Sequence, residues 1–307
     1  MGKHTFKAHL YRKGMSENMK IAELFKAKRV VYSFEVFPPK KSSSVDSVYK
    51  TLDGLKEFNP DYISVTYGAG ASLSDNLTAE ISGYIKNKLN IETMAHLTCI
   101  NSSENSVNET IEQLQKREIE NILALRGDIN PDVEPLKDFR YAVDLIDYIK
   151  KHPNFSEMGI CGACYPEGHP TADSLDEDIE FLKQKVDAGA QTLVTQLLFD
   201  NERFYTFREK IEKVGIDVPV SVGIMPITNK KQIERMVTLC AVSLPPKFVK
   251  IMSRYENNPE ALTDAGIAYA VEQIVELLAN DVRGIHLYTM NRQYVAQKVT
   301  DAIRTMI

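Results

Sequence analysis

The chain has 307 residues, 43% of them hydrophobic and 26% charged, which is typical of a globular protein. A net charge of -5 leaves no basic surface for phosphate groups, so we expect no nucleic-acid partner. The sequence has no run of about 18 apolar residues that could span a membrane. Residues 1–14 also lack the apolar segment of a secretory signal. We therefore predict a cytoplasmic protein without a membrane partner.

The four cysteines are too few for a disulfide framework in a chain of this length. Cys161 and Cys164 have C-x-x-C spacing, but no second pair of ligands with similar spacing completes a zinc site. On a strand, residues three apart point to opposite faces. We therefore predict packed thiols and no bound metal.

Segments with strand character alternate with segments of helical periodicity from Val30 onward. An amphipathic helix within residues 16–28 precedes them. The predicted strands cover residues 30–37, 62–67, 92–99, 121–128, 159–166, 192–199, 218–226 and 284–290. Helical stretches between them include residues 45–55, 77–89, 107–115, 141–149 and 259–278.

Eight strand–helix units without a linker or a shift in composition favour a (β/α)8 TIM barrel over a doubly wound sheet. A doubly wound nucleotide-binding sheet would carry a glycine-rich turn after its first strand, where this chain has residues 37–40, FPPK. We predict one barrel domain over residues 1–307, with the tail and helix of residues 1–28 outside the barrel repeat.

Glu35 interrupts the first predicted strand, which is otherwise apolar on both faces. Burying its charged form is unfavourable, so we expect either a hydrogen-bonded structural Glu or a functional acid held neutral by Phe34, Val36 and Phe37. Asp128 ends the fourth predicted strand, beside Gly127 and near Arg126, and is expected to stay ionised. An acid and an anion would suit protonation of a leaving nitrogen and stabilisation of a cation. The alternative for Arg126 and Asp128 is a turn with a local ion pair.

Several motifs stand at the strand ends in a defined order. They are residues 33–40 (SFEVFPPK), 65–70 (VTYGAG), 96–99 (HLTC), 125–128 (LRGD), 165–170 (YPEGHP) and 195–196 (TQ). Together, and over about residues 30–292, they resemble the methylenetetrahydrofolate reductase family. The resemblance implies a flavin barrel that uses FAD and NADH, or NADPH, to reduce 5,10-methylenetetrahydrofolate to 5-methyltetrahydrofolate by a ping-pong mechanism.

The same resemblance implies roles for individual residues. Glu35 matches the family's general acid, which protonates the departing N10, and Asp128 matches the carboxylate near flavin and pterin. The implied FAD contacts are Thr66, His96, Arg126, Gly127, Asp128, Tyr141, Ala142, Tyr165, His169, Asp178 and Lys185. The implied folate contacts are Glu35, Gln196 and Arg292. A homo-oligomer binding only small molecules is expected.

One position departs from the family pattern. Bacterial members commonly carry an aromatic residue after the residues that match Thr228 and Asn229, whereas this chain has Lys230. Phe199, Phe204 and Phe248 are possible substitutes for that ring. Lys230 also leaves open a non-catalytic flavin- or folate-binding paralogue. A metal-dependent hydrolase or an aldolase is disfavoured, because the six histidines form no H-x-H pair and no lysine stands at a strand end. From the end of the chain at residue 307 we expect no regulatory domain and no inhibition by adenosylmethionine.

Overall fold

The computed structural model describes residues 19–39, 44–67, 74–129, 134–240 and 242–307. Three parts of the predictions lie outside the described residues: the N-terminal tail up to residue 18, Lys40 of the first motif, and residues 68–70 of the second.

The described residues form a closed barrel of eight parallel strands, in which β8 pairs back onto β1. The strands are β1 (Val31–Val36), β2 (Tyr62–Val65), β3 (Glu92–Thr98), β4 (Asn121–Leu125), β5 (Gly159–Cys164), β6 (Thr192–Thr195), β7 (Val220–Ile224) and β8 (Gly284–Tyr288). The predicted (β/α)8 barrel is confirmed, and each strand pairs with the next one in the sequence.

Helices precede the barrel and connect its strands. They are α1 (Ile21–Ala27), α2 (Asp46–Lys56), α3 (Ser74–Tyr84), α4 (Glu104–Gln115), α5 (Ala142–Lys151), α6 (Leu175–Asp187), α7 (Asn201–Lys213), α8 (Lys230–Cys240), α9 (Pro246–Tyr255), α10 (Pro259–Ala279) and α11 (Gln293–Ile303). A π-helical turn, Ile85–Leu89, continues α3. None of the helices in this described part of the chain is long and apolar enough to cross a membrane.

The first strand alternates between two environments. Tyr32, Phe34 and Val36 are buried in the apolar layer between the barrel and its helices. Ser33 and Glu35 lie on the opposite face, inside the barrel, where both contact His286. The prediction of a strand apolar on both faces was therefore wrong, because the face of β1 that points into the barrel carries the polar residues Ser33 and Glu35. Glu35 follows the alternation of its strand rather than interrupting it.

Helix α1 closes the N-terminal end of the barrel. Its buried Ile21, Leu24 and Phe25 join an interior cluster that includes Cys161. The backbone N–H of Ile21 also donates to the Asn121 side chain at the base of β4, at 2.9 Å. Burial of each apolar side chain of α1, Ile21, Leu24 and Phe25, stabilises the fold by roughly 1.5–3 kcal/mol. The extra helix therefore covers one end of the barrel, and the polar strand ends lie at the other.

The two cysteines of the C-x-x-C segment point to opposite faces of β5, as predicted. Cys161 belongs to the interior cluster, whereas Cys164 packs in the layer between barrel and helices. Both are free thiols, and burial raises the pKa of the Cys161 thiol to about 12. Neither thiol is therefore a reactive thiolate at neutral pH.

Candidate active site

Glu35 is the centre of a polar cluster at the C-terminal ends of the strands. Its Oε2 lies 3.4 Å from Nε2 of His96 on β3 and 3.7 Å from Nε2 of His286 on β8. The Glu35 side chain is 19% exposed, whereas the His96 and His286 side chains are 7% and 0% exposed. The carboxylate is thus accessible from the barrel mouth, and the imidazoles support it from inside. Ends of barrel strands are where such enzymes place their chemistry.

His96 is held as the neutral imidazole. Burial lowers the pKa of His96 from 6.5 to about 4, and this outweighs the opposing effect of the Glu35 carboxylate. No hydrogen bond to His96 Nε2 is found among the described residues, although Glu35 is close. A buried nitrogen without a hydrogen bond is unusual and makes His96 Nε2 a candidate contact for a bound molecule.

The lowered pKa of His96 predicts a pH-dependent stability. As pH falls through about 6.5 toward 4, the unfolded chain takes up a proton at His96 that the folded chain does not, so folding is destabilised. Relative to His96→Asn, wild type should lose about 2 kcal/mol of unfolding free energy between pH 7 and pH 5. Urea unfolding of both proteins across this range measures the difference. Parallel curves would contradict the assignment.

His286 is a residue that the sequence analysis missed. Its Nδ1 lies 2.7 Å from Ser33 Oγ, and its Nε2 lies 3.3 Å from Ser64 Oγ. It therefore links β1, β2 and β8 beneath the Glu35 carboxylate. A signal was available, because His286 precedes Tyr288 by two residues and must share its inward face.

The segment Arg126-Gly127-Asp128 leaves β4 in a sharp turn. Gly127 has a φ of +87°, and the Arg126 carbonyl accepts from the backbone N–H of Ile100 at 2.8 Å. The Asp128 side chain is exposed, and no ion pair joins it to Arg126 in the described part of the chain. The turn fixes the backbone, while both charged side chains stay available to a ligand.

A second group of predicted residues meets where β5 leaves the barrel. The rings of Tyr165 and His169 contact edge to face at 4.7 Å, and the His169 N–H donates to Asp178 Oδ2 at 3.2 Å. Lys185 Nζ donates to the Ala163 carbonyl at 2.7 Å.

Charges in this group influence one another. Burial raises the pKa of Asp178 against the effect of Lys185, and burial lowers the pKa of Lys185 against the effect of Asp178. Burial, Arg126 and Lys185 together lower the pKa of His169. Burial thus opposes the charged forms of Asp178 and Lys185, while their mutual attraction favours those forms.

The remaining predicted residues lie at other strand ends or helix starts. Thr66 follows β2 and donates its N–H to the Val36 carbonyl at 3.0 Å. Gln196 follows β6, and its Oε1 accepts from the Leu197 N–H at 2.9 Å. Tyr141, Ala142 and Arg292 stand at the starts of α5 and α11. Among the described residues, none of these last three forms a hydrogen bond or an ion pair with Glu35. A ligand that contacts both Glu35 and these residues would therefore have to extend between them.

Lys230 is the first residue of α8, and its Nζ forms an exposed ion pair with Glu256 at 2.8 Å. The three phenylalanines considered as substitutes for an aromatic residue here are buried core residues. Phe199 stacks on Phe248 at 4.4 Å between ring centroids, and Phe204 packs in the layer beneath the helices. None of the three presents a free ring face at the site. The described residues also include no group of His, Cys, Asp and Glu placed to hold a metal ion.

Comparison with known proteins identifies a family relationship over most of the chain. A family model described as "Methylenetetrahydrofolate reductase" matches residues 20–304. The chain belongs to the methylenetetrahydrofolate reductase family. The resemblance seen in the strand-end motifs is therefore confirmed.

Members of the methylenetetrahydrofolate reductase family with similar sequences come from plants and bacteria. "Methylenetetrahydrofolate reductase (NADH) 1" of Arabidopsis thaliana is 36% identical over 286 residues, which cover 89% of this chain and 48% of the plant protein. "5,10-methylenetetrahydrofolate reductase" of Pectobacterium carotovorum is 36% identical over 275 residues, which cover 90% of each chain. The chain thus spans about half the length of its plant relatives and most of the length of its bacterial ones.

A solved structure supports the fold of this family member. A Clostridium thermocellum protein, described as binding two copies of 5-methyl-5,6,7,8-tetrahydrofolic acid, superposes with a TM-score of 0.69. The match covers 94% of this chain and 100% of the other, at 12% sequence identity. At that identity the likeness shows the barrel fold alone.

Proposed function

We propose that this chain reduces 5,10-methylenetetrahydrofolate to 5-methyltetrahydrofolate, using FAD and a reduced nicotinamide nucleotide. The observation that carries the proposal is the partly exposed Glu35 carboxylate beside buried His96, in a chain that matches the reductase family over residues 20–304. The names of the plant relatives include NADH, which favours NADH over NADPH as the donor. A cytoplasmic location and a homo-oligomer stay predictions.

The residues at the barrel mouth fit a flavin. Among the described residues, His96 Nε2 is a buried nitrogen without a hydrogen-bond partner, and the exposed Asp128 side chain follows the sharp turn at Gly127. Arg126 and Lys185 would supply positive charge for the phosphates of FAD. The other predicted contacts, from Thr66 to Lys185, keep their proposed role. When bound, the flavin supplies hydride transfer from the nicotinamide to the methylene carbon of the folate, in two successive half-reactions.

The chain's own residues would provide acid, charge and orientation. Glu35 would donate a proton to N10 of the folate as its five-membered ring opens. The exposed carboxylate of Asp128 would stabilise the cation that develops on the substrate. Gln196 and Arg292 would orient the folate, with the Arg292 guanidinium pairing with a substrate carboxylate.

An anaerobic absorbance experiment on the purified protein tests the function. NADH added to the FAD-loaded protein should bleach the flavin band, and 5,10-methylenetetrahydrofolate added next should restore it. Bleaching without recovery would overturn the reductase activity and favour the non-catalytic paralogue. Absence of a flavin band even after adding FAD would overturn the cofactor as well.

A further inference from the structure

The turn after β8 adopts a strained backbone conformation. Met290 and Asn291 have φ values of +52° and +53°, so two consecutive residues other than glycine are left-handed. Each such residue costs roughly 1–2 kcal/mol. Asn tolerates this conformation better than most residues, and Met does not. Strain of this kind persists only where surrounding contacts hold it in place.

The contacts that hold the turn are made with the end of β1. The Asn291 side chain forms a pair of hydrogen bonds with the backbone of Phe37: its Oδ1 accepts from the N–H at 3.1 Å, and its Nδ2 donates to the carbonyl at 2.8 Å. Thr289 Oγ1 donates to the Glu35 carbonyl at 2.7 Å and accepts from the Asn291 N–H at 3.2 Å. The last residue pair of the β1–β8 ladder is Glu35 with Tyr288. Side chains thus continue the pairing where the strands end.

We propose that Asn291, acting together with Thr289, is a positioning residue for Glu35. These two side chains fix the backbone at Glu35 and at Phe37, and so limit the movement of the Glu35 carboxylate relative to a bound folate. The same turn sets the position of Arg292, whose N–H donates to the Thr289 carbonyl at 2.9 Å. The inference rests on the proposed function, because it assigns Asn291 to the folate half-reaction.

We call the side chains of Asn291 and Thr289, with their hydrogen bonds to the backbone of Phe37 and Glu35, the clamp. The hydrogen-bonding chemistry of the clamp explains the residue type at position 291. Its partner, the Phe37 peptide, offers one donor and one acceptor, and a primary amide matches both. Asp would accept from the Phe37 N–H but place its second oxygen against the Phe37 carbonyl. Gly would adopt the left-handed conformation but make neither bond. Substitution by Gly therefore removes the clamp without adding backbone strain.

Two readouts test the clamp in the FAD-loaded protein. In Asn291→Gly, reduction of the flavin by NADH should keep its wild-type rate, while reoxidation by 5,10-methylenetetrahydrofolate should slow about 10- to 100-fold. Hydrogen exchange, measured on the peptide that contains Phe37, should accelerate. Thr289→Val should show the same split between half-reactions, and Thr289→Ser, which keeps the hydroxyl, should restore wild-type reoxidation.

Asn90→Gly is the matched control, since Asn90 is also left-handed, with φ of +56°, at the end of the π-helical turn. It should change neither half-reaction. Equal slowing of both half-reactions, or unchanged reoxidation in Asn291→Gly and Thr289→Val, would overturn the proposal. If the wild-type flavin itself is not reoxidised by the folate, the proposed function falls. Hydrogen exchange at Phe37 in Asn291→Gly then tests the clamp separately. Unchanged exchange would overturn the clamp, and accelerated exchange would support it. Should Asn291→Gly not fold, Thr289→Val decides.

Discussion

Glu35→Gln should abolish the folate half-reaction while leaving oxidation of NADH by the flavin almost unchanged. Glutamine keeps the size of the side chain but cannot act as an acid, and loss of a general acid typically slows a reaction about 10²- to 10⁴-fold. Neighbouring His96 cannot replace the acid, because burial lowers its pKa to about 4 and only its neutral imidazole, a very weak acid, is present at neutral pH. The effect should therefore reach the upper part of that range.

Stopped-flow absorbance of each half-reaction separates the two expectations for Glu35→Gln. Glu57→Gln is a suitable control, because Glu57 is an exposed glutamate just after α2, near the start of β2 and away from the strand ends of the site. That control should behave as wild type in both half-reactions. Equal loss of NADH oxidation and folate reduction in Glu35→Gln would show that Glu35 serves flavin binding and not protonation.

The barrel could be predicted from the sequence because each strand and each helix carries its own local periodicity. The ends of the strands could not. The predicted fourth strand ran to Asp128 and the sixth to Phe199, whereas β4 ends at Leu125 and β6 at Thr195. Beyond β6, Leu197 and Phe199 continue the apolar run because they pack under α8, α9 and α10, whereas β4 is followed directly by Arg126, Gly127 and Asp128. Apolar character alone does not reveal where the hydrogen-bonded ladder stops.

The site was predictable only as far as position along a strand determines it. Knowing that strands end at one face of a barrel was enough to place Glu35 and His96 near each other. Contacts made by barrel closure were not accessible, because the pairing of β8 with β1 joins residues about 250 positions apart. The contacts of His286 with Ser33 and of Asn291 with Phe37 are of this kind. The phenylalanines considered near Lys230 were misjudged because sequence does not distinguish a ring at a site from a ring in the core.

Gly127→Ala should weaken FAD binding about 10- to 100-fold, which corresponds to roughly 1.4–2.8 kcal/mol. A Cβ at this position would lie 3.0 Å from Thr98 Cβ, and its left-handed φ of +87° disfavours alanine. The chain must then move between Arg126 and Asp128, two of the residues proposed to contact the flavin. Titration of the apoprotein with FAD, followed by fluorescence, measures the affinity.

Backbone strain alone would also lower stability, and Gly215→Ala isolates that contribution. Gly215 has a φ of +75° in the turn between α7 and β7, and an added Cβ would meet nothing within 4 Å. Both variants should lose a similar roughly 1–2 kcal/mol of unfolding free energy from strain, with a further loss in Gly127→Ala from the contact with Thr98. Only Gly127→Ala should lose FAD affinity. If both variants bind FAD as wild type does, the turn after β4 does not hold the flavin, and the cofactor site has to be sought on the other strand ends.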